Sequence, residues 1–400
     1  MTKQRAFALA LALCLLISLS ASAAVYEAPE GGRAILSVGG HFAYVMDTAH
    51  RLLVFGDNQF GQLGYAGKTN FRVNTFSSKN REIDLTHVKD ILSTCDYSFL
   101  WMDDDTVYGV GNNSYLPLTV KEGIYKTHVK LNLPEKPVQF ALGFGHVLML
   151  TENGEVYAWG RNSDGQVGNG KTGKTKDPQK LPLENIVQIA AGGKFSLALD
   201  GDGQLWGWGD NKYHQLSPEK VPRILSPVRI DTGDIAIAFV DAQGSGVVLL
   251  DKQGTVWTWG WNSVYQLGYE THNAKEKKDE CSSSPAPVAL PLPVVLVETY
   301  ESQTMAVLED GSMWSWGNNS YGQLGHGFSS RATVGELPME CWRGEDGRVA
   351  LILNGSGCTM GMLEDGRMIV AGFNSKFGDL GDGTRKDQHA FSFNGIDLIP

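Results

Sequence analysis

Asp202-Gly203-Gln204-Leu205-Trp206-Gly207-Trp208-Gly209-Asp210-Asn211 is the stretch that decides how the chain is read. Its last glycine, preceded by an apolar residue and followed two positions on by asparagine, recurs as Gly56, Gly111, Gly160, Gly209, Gly260, Gly317 and Gly372. The intervals are 55, 49, 49, 51, 57 and 55 residues, and the asparagine is present every time, from Asn58 to Asn374. Spacing this regular makes each interval one supersecondary unit and places the differences in length in connecting loops.

One position before the anchor glycine stand Phe55, Val110, Trp159, Trp208, Trp259, Trp316 and Ala371, and three before it stand Leu53, Tyr108, Tyr157, Trp206, Trp257, Trp314 and Ile369. In a strand these share a face, while the small residues between them, such as Ala158, Gly207 and Ser315, point the other way. Strands with rings on one face and recesses on the other pack ring into recess, which builds radially stacked sheets. Each buried aromatic contributes roughly 2–3 kcal/mol. Six positions before the anchor, Gly154, Gly203, Gly254, Gly311 and Gly366 mark hairpin turns that need a positive φ. The expected fold is all-β, a seven-bladed β-propeller of repeats about fifty residues long. The alternating run Phe391-Ser392-Phe393 is expected to add a strand to the first blade and close the ring.

Ala190-Ala191-Gly192-Gly193, then Asp202-Gly203-Gln204-Leu205-Trp206-Gly207-Trp208-Gly209, then Gly322-Gln323-Leu324-Gly325 together resemble the repeat of the regulator of chromosome condensation family. The resemblance covers about residues 34–383 and implies a seven-bladed propeller. Departures occur at Tyr115-Leu116-Pro117-Leu118, at Tyr300-Glu301 where glycines are usual, and at Ala371 in place of tryptophan. Combined with an export signal, the resemblance implies a secreted, bacterial-type member, and the role most similar is that of secreted propellers that inhibit β-lactamases through loops on one face.

The export signal is read from the start of the chain. Lys3 and Arg5 precede an apolar run over residues 6–19 and the small residues Ala21, Ser22 and Ala23. That order is a secretory signal peptide with cleavage at Ala23, and the apolar run is shorter than the roughly twenty residues a spanning helix needs. Residues 1–23 are therefore expected to be removed and residues 24–400 to form a single domain, secreted or extracytoplasmic and monomeric. Losing Lys3 and Arg5 takes the formal charge from −10 to −12, which offers no basic field to nucleic acid. No later segment is apolar enough to span a membrane.

Chemistry-bearing motifs are few. Gly168-Asn169-Gly170-Lys171-Thr172-Gly173-Lys174-Thr175 satisfies the phosphate-loop pattern but runs into Lys176-Asp177-Pro178 without helical periodicity, so no helix N-terminus underlies it. Asp103-Asp104-Asp105 and Asp200-Gly201-Asp202-Gly203 lack the spacing and closing glutamate of a calcium loop. No histidine pair has metal-ligand spacing and no nucleophile elbow is present, so neither catalytic residues, cofactor nor metal is assigned. His41 and His146 are read as structural. Cys281 and Cys341 lie in the long connections before the sixth and seventh anchors and are the candidate disulfide, while Cys95 and Cys358 are read as buried small hydrophobes. The loop over residues 269–290, with Lys275-Glu276-Lys277-Lys278-Asp279-Glu280, and the lysines at 171, 174, 176 and 180 distinguish one repeat from the next. The expected function is a protein-binding propeller, an inhibitor or surface interaction module. A hydrolase or lyase acting over the central channel, and a polysaccharide binder using Tyr65, Phe71 or Tyr213, are the alternatives.

Overall fold

The computed structural model describes residues 23–28, 31–65, 70–75, 83–271, 280–331, 335–374 and 376–400. Among them the strands form seven antiparallel sheets, six of four strands and one of five, each built from strands consecutive in the chain. Blade four shows the pattern: Ile186–Ala191, Phe195–Asp200, Leu205–Asp210 and Arg223–Ile230 pair in that order. The first strands of the blades gather about the axis and the fourth strands form the rim. This is a seven-bladed β-propeller.

The tryptophans do more than fill recesses. Trp159, Trp208, Trp259 and Trp316 are fully buried, and Trp208 shares a core with Ala158 and Val167 of the preceding blade. Each also donates its indole N–H across the blade boundary: Trp208 Nε1 to the Gln166 carbonyl at 2.9 Å, Trp259 Nε1 to Gln215 at 2.9 Å and Trp316 Nε1 to Gln266 at 3.1 Å. The indole thus contributes apolar area and satisfies its donor. The half-buried Trp206 and Trp257 instead donate to Asp200 and Asp251 of their own hairpins, each at 2.9 Å.

Neighbouring first strands are stitched by side-chain amides. Gln139 Nε2 donates to the Ile189 carbonyl and Gln139 Oε1 accepts from Ile189 N–H, and Gln188 makes the same pair of bonds with Val240 one blade on. Between blades five and six Asp241 accepts from Thr299 N–H instead.

Two expectations are corrected. Phe391-Ser392-Phe393 belongs to Gln388–Asp397, the outer strand of blade seven, where it pairs with Arg367–Gly372. The ring closes without strand exchange, by a core shared between Leu36, Val45 and Phe55 of blade one and Leu353, Met360 and Met368 of blade seven. Thr48 N–H donates to the Leu398 carbonyl, and Ser356 N–H donates to that of Gly40. The fifth strand of blade one comes from the other end of the chain: Ala23–Glu27 pairs with Arg33–Val38 on its axial side.

The second correction concerns Cys281 and Cys341, which are not bridged to each other. They lie on outer strands of adjacent blades but at opposite ends. Cys281 pairs with Trp261, beyond the anchor glycine, whereas the Cys341 thiol donates to the carbonyl of Met313, at the start of its blade's third strand.

Candidate functional site

At one end of the ring each first strand turns into the second, at residues 39–41, 94–96, 143–145, 192–194, 244–245, 301–302 and 356–357. This end is termed the mouth face. Directly above each turn lies the anchor glycine of the same blade. The amide one residue later donates to the turn carbonyl in all seven blades, from Asp57 N–H to His41 through Asp210 N–H to Lys194 to Phe373 N–H to Gly357. The glycines have φ between 96° and 110°, and a Cβ on any of them would fall 2.2–2.6 Å from that carbonyl oxygen. Both facts exclude a side chain.

The asparagine organises the loop that follows. Asn211 Oδ1 accepts from Leu216 N–H at 2.9 Å while its Nδ2 donates to loop carbonyls, and the equivalent acceptance recurs from Asn58 to Asn374. Between the positions that glycine and asparagine tie down, side chains of the loops reach the surface, although Asp57, the residue after Gly56, is buried. The mouth face therefore carries Tyr115, Arg161, Lys212, Tyr213, Trp261, Tyr321 and Phe373.

Over blades six, seven and one these side chains surround a histidine. His41 Nδ1 lies 2.9 Å from Asp379 Oδ2, with the imidazole packed against Phe373 at 5.6 Å and Phe377 at 5.4 Å between centroids, and Phe373 against Tyr321 at 4.9 Å. Burial pushes the Asp379 carboxyl up to about 6 against the pull of His41. Glu301, held at φ 47, is raised by burial and drawn back by His41 and Ser356. Beside it Tyr300 of blade six reaches across the channel opening to Cys95 of blade two, with Sγ and OH 3.4 Å apart. The usual glycines are thus replaced in blade six by a stopper for the channel. Burial lifts the Cys95 thiol to about 11, so it is no thiolate nucleophile.

Over blades two to five the face is basic and aromatic. Tyr115 lies under the Arg161 guanidinium at 4.9 Å and Lys174 Nζ at 5.8 Å. Tyr213 stacks on Trp261 at 5.3 Å with an interplanar angle of 26°, and Lys212 Nζ sits 4.9 Å from the Tyr213 ring. The turn residue Lys194 is exposed between them.

The other expected positions are accounted for by the scaffold. His146 is fully buried, 3.1 Å from Ser196 Oγ, and desolvation drives its pKa down to about 3. Residues 168–175 form a loop leading into the strand Thr175–Lys180, with no helix. Asp200 accepts from Asp202 and Gln204 N–H within its turn, and Asp104 accepts from Thr106 N–H. Among the described residues no three metal-ligating side chains converge. Cys358 is buried as expected, whereas Cys95 is half-buried at the channel mouth. Residues 1–22, most of the 275–280 charged run and the Phe71 side chain lie outside the described residues. The pairing of His41 with Asp379, 338 residues apart, had no local signal in the sequence.

A closed ring of seven four-stranded repeats, one of them extended to five strands, defines the chain as a seven-bladed β-propeller. The RCC1-like domain family model matches residues 125–397, and the chain belongs to that family. The chain is 29% identical over 302 residues to the ultraviolet-B receptor UVR8 of Arabidopsis thaliana, which takes in 73% of this chain and 64% of that one. It is 31% identical over 296 residues to the probable E3 ubiquitin-protein ligase HERC6 of Homo sapiens, 72% of this chain but 24% of that protein. It therefore spans less than two thirds of the length of these curated relatives. Prp20p of Saccharomyces cerevisiae superimposes with a TM-score of 0.70 at 24% identity over 80% of each chain, a likeness of fold.

Proposed function

We propose that the protein is an exported binding propeller that holds a protein partner against its mouth face, acting as an inhibitor or a surface interaction module. One observation carries the reading. The exposed aromatic and ionic side chains that differ from blade to blade are mounted together on a backbone lattice that is the same in every blade. Rigid mounting lowers the ordering cost of binding, and Tyr, Trp and Arg on such a mount have the chemistry of interface anchors. The structural work on Prp20p describes its binding to Gsp1p and histones, and a structure of Kap60 bound to yeast RCC1 (Prp20) is also known, which supports a protein ligand for this scaffold. The charged, apolar and small-residue order of residues 1–23 supports export, with residues 24–400 as the mature domain.

The test is affinity capture from the native extracellular fraction with immobilised residues 24–400, beside a Tyr115→Ala/Tyr213→Ala/Trp261→Ala variant and a Val138→Ser/Val187→Ser variant at the opposite end of the ring. One protein retained by wild type and by the second variant, but lost by the first, is expected. Retention by the mouth variant with loss at the opposite end, or no retained protein, would overturn the assignment. Amino-terminal sequencing of the exported protein is expected to begin at Ala24.

A further inference from the structure

We infer that the mouth face over blades two to five is a docking surface for an acidic polypeptide segment. This rests on the reading of the mouth face as the binding face and goes further by naming the chemistry of the partner. The protein carries a formal charge of −10, yet its charge is unevenly placed. In the mouth-face segments of blades two to four, residues 94–96, 110–126, 161–177, 192–194 and 210–223, ten Lys and Arg stand against six Asp and Glu.

Most acids of this sector accept from neighbouring side chains, whereas most of its cations have no carboxylate partner among the described residues. Glu122 is bound to Lys174 at 3.0 Å, Asp164 accepts from Ser163 Oγ at 2.7 Å, and half-buried Asp210 accepts from Gln215 at 3.3 Å and is raised by burial. Of the ten cations only Lys174 forms an ion pair among the described residues. Arg161 and Lys212 lie instead over Tyr115 and Tyr213. A cation held over a ring keeps its charge and its remaining donors for a carboxylate. The stacked pair Tyr213 and Trp261 and the exposed Tyr115 supply apolar contact between the charges, which suits a segment alternating acids with aromatic or aliphatic residues.

Long nucleic acid fits less well. Its phosphates continue past the basic sector onto a surface that is acidic elsewhere, where each further charge is repelled. A short acidic segment ends where the cations end.

The test uses a fluorescent synthetic peptide alternating Glu and Tyr, its Gln and Tyr counterpart, and a single-stranded oligonucleotide of matched charge. Each is titrated by anisotropy against the wild-type mature protein, against Arg161→Glu/Lys194→Glu/Lys212→Glu, and against a control Lys136→Glu/Lys252→Glu at the opposite end. The Glu peptide is expected to bind at least about tenfold more tightly than the Gln peptide, to weaken toward about 0.5 M salt, and to lose at least about tenfold in the mouth variant but less than about twofold in the control. Circular dichroism and unfolding of both variants confirm that exposed substitutions leave the fold intact. Equal binding of the two peptides, an unchanged mouth variant, or tighter binding of the oligonucleotide through the same residues overturns the inference. If the partner captured from the extracellular fraction survives the charge reversals but is lost with Tyr115→Ala/Tyr213→Ala/Trp261→Ala, the acidic partner fails while the mouth-face reading stands. If it survives both, the mouth-face reading fails.

Discussion

Two glycines in one blade allow steric exclusion to be separated from backbone preference. Gly203 and Gly209 both have positive φ, at 80° and 108°. A Cβ on Gly203 would meet nothing within 4 Å, whereas on Gly209 it would fall 2.6 Å from the Lys194 carbonyl oxygen and 2.6 Å from Phe195 Cα. Gly203→Ala is therefore charged only with the left-handed backbone, about 1–2 kcal/mol. Gly209→Ala carries a cost of the same kind and must also separate two backbone segments. That strains the Asp210 N–H bond to Lys194 at 2.9 Å, which contributes roughly 1 kcal/mol, and the displaced packing adds about as much again. The expected gap between the variants is about 2 kcal/mol. At roughly 2.1 cal/mol/K per residue the unfolding entropy of this chain is about 0.8 kcal/mol/K, so the gap corresponds to a Tm difference of about 2–3 °C. Urea unfolding followed by tryptophan fluorescence, supported by calorimetry, measures both. Equal destabilisation of the two variants would refute the claim that close backbone approach is what demands glycine at the seven anchors.

Blades one and two place His50 and Asp105 in the hairpin slot that glycine fills elsewhere, at φ 60° and 65°. His50→Gly is expected to stabilise by about 0.5–1 kcal/mol, since it relieves the left-handed backbone and removes a buried Nδ1 with no partner among the described residues; an unchanged or lowered urea midpoint would contradict this. The buried acids near the axis set a pH dependence. Burial raises Asp90 to about 7, Asp241 to about 6 and Glu298 well above its ordinary range, with Asp241 adding to the last. An acid whose folded pKa is raised gives stability that is complete below its unfolded value and lost as pH rises through the folded one. Stability should therefore fall between about pH 4 and pH 7, by at most about 1.4 kcal/mol per pH unit for each group. Glu298→Gln should raise stability at neutral pH and flatten that slope, and urea midpoints across the interval would show whether it does.

The repeat was legible because its key residues answer to local geometry. A glycine that must take φ near 100° cannot be replaced, and the tryptophans of blades three to six each need the same recess, so both print a period on the sequence. What the indole N–H donates to was not legible, because the acceptor is a backbone carbonyl of the preceding repeat and any residue supplies one. The strand character of Phe391 and Phe393 was readable from alternation, but its partner was not. Alternation describes a face, while pairing follows from the third strand of blade seven, Arg367–Gly372, needing an outer neighbour. Ala23–Glu27 was hidden for a different reason: five residues at the end of a signal-like run look like a cleavage boundary, and the extra strand of the first blade was expected from the other end of the chain. The cysteine pairing failed on a coordinate that spacing does not contain. Connection length places Cys281 and Cys341 on neighbouring outer strands, but not at which end of the strand each one falls.

The division between scaffold and surface lets the outward side chains of one face vary while the fold stays constant. At the mouth every glycine, asparagine and turn carbonyl is engaged through backbone atoms or through a side chain that serves the backbone. Such positions cannot tell one partner from another, because each blade presents the same set. The outward positions make no such bonds in common. They hold Tyr115 and Arg161 on one side of the channel and Tyr321 and Phe373 on the other, and solvent-facing substitutions there cost within about 0.5 kcal/mol. Side chains at the periphery can thus be exchanged at little cost to the ring, but only within limits set at the centre. Tyr300 and Glu301 occupy an inner turn, where Gly244 of the previous blade would place a Cβ 2.5 Å from the Glu301 carbonyl. There the stopper and the packing of the blades share the same atoms, so surface chemistry and stability are coupled at the axis and separable at the periphery.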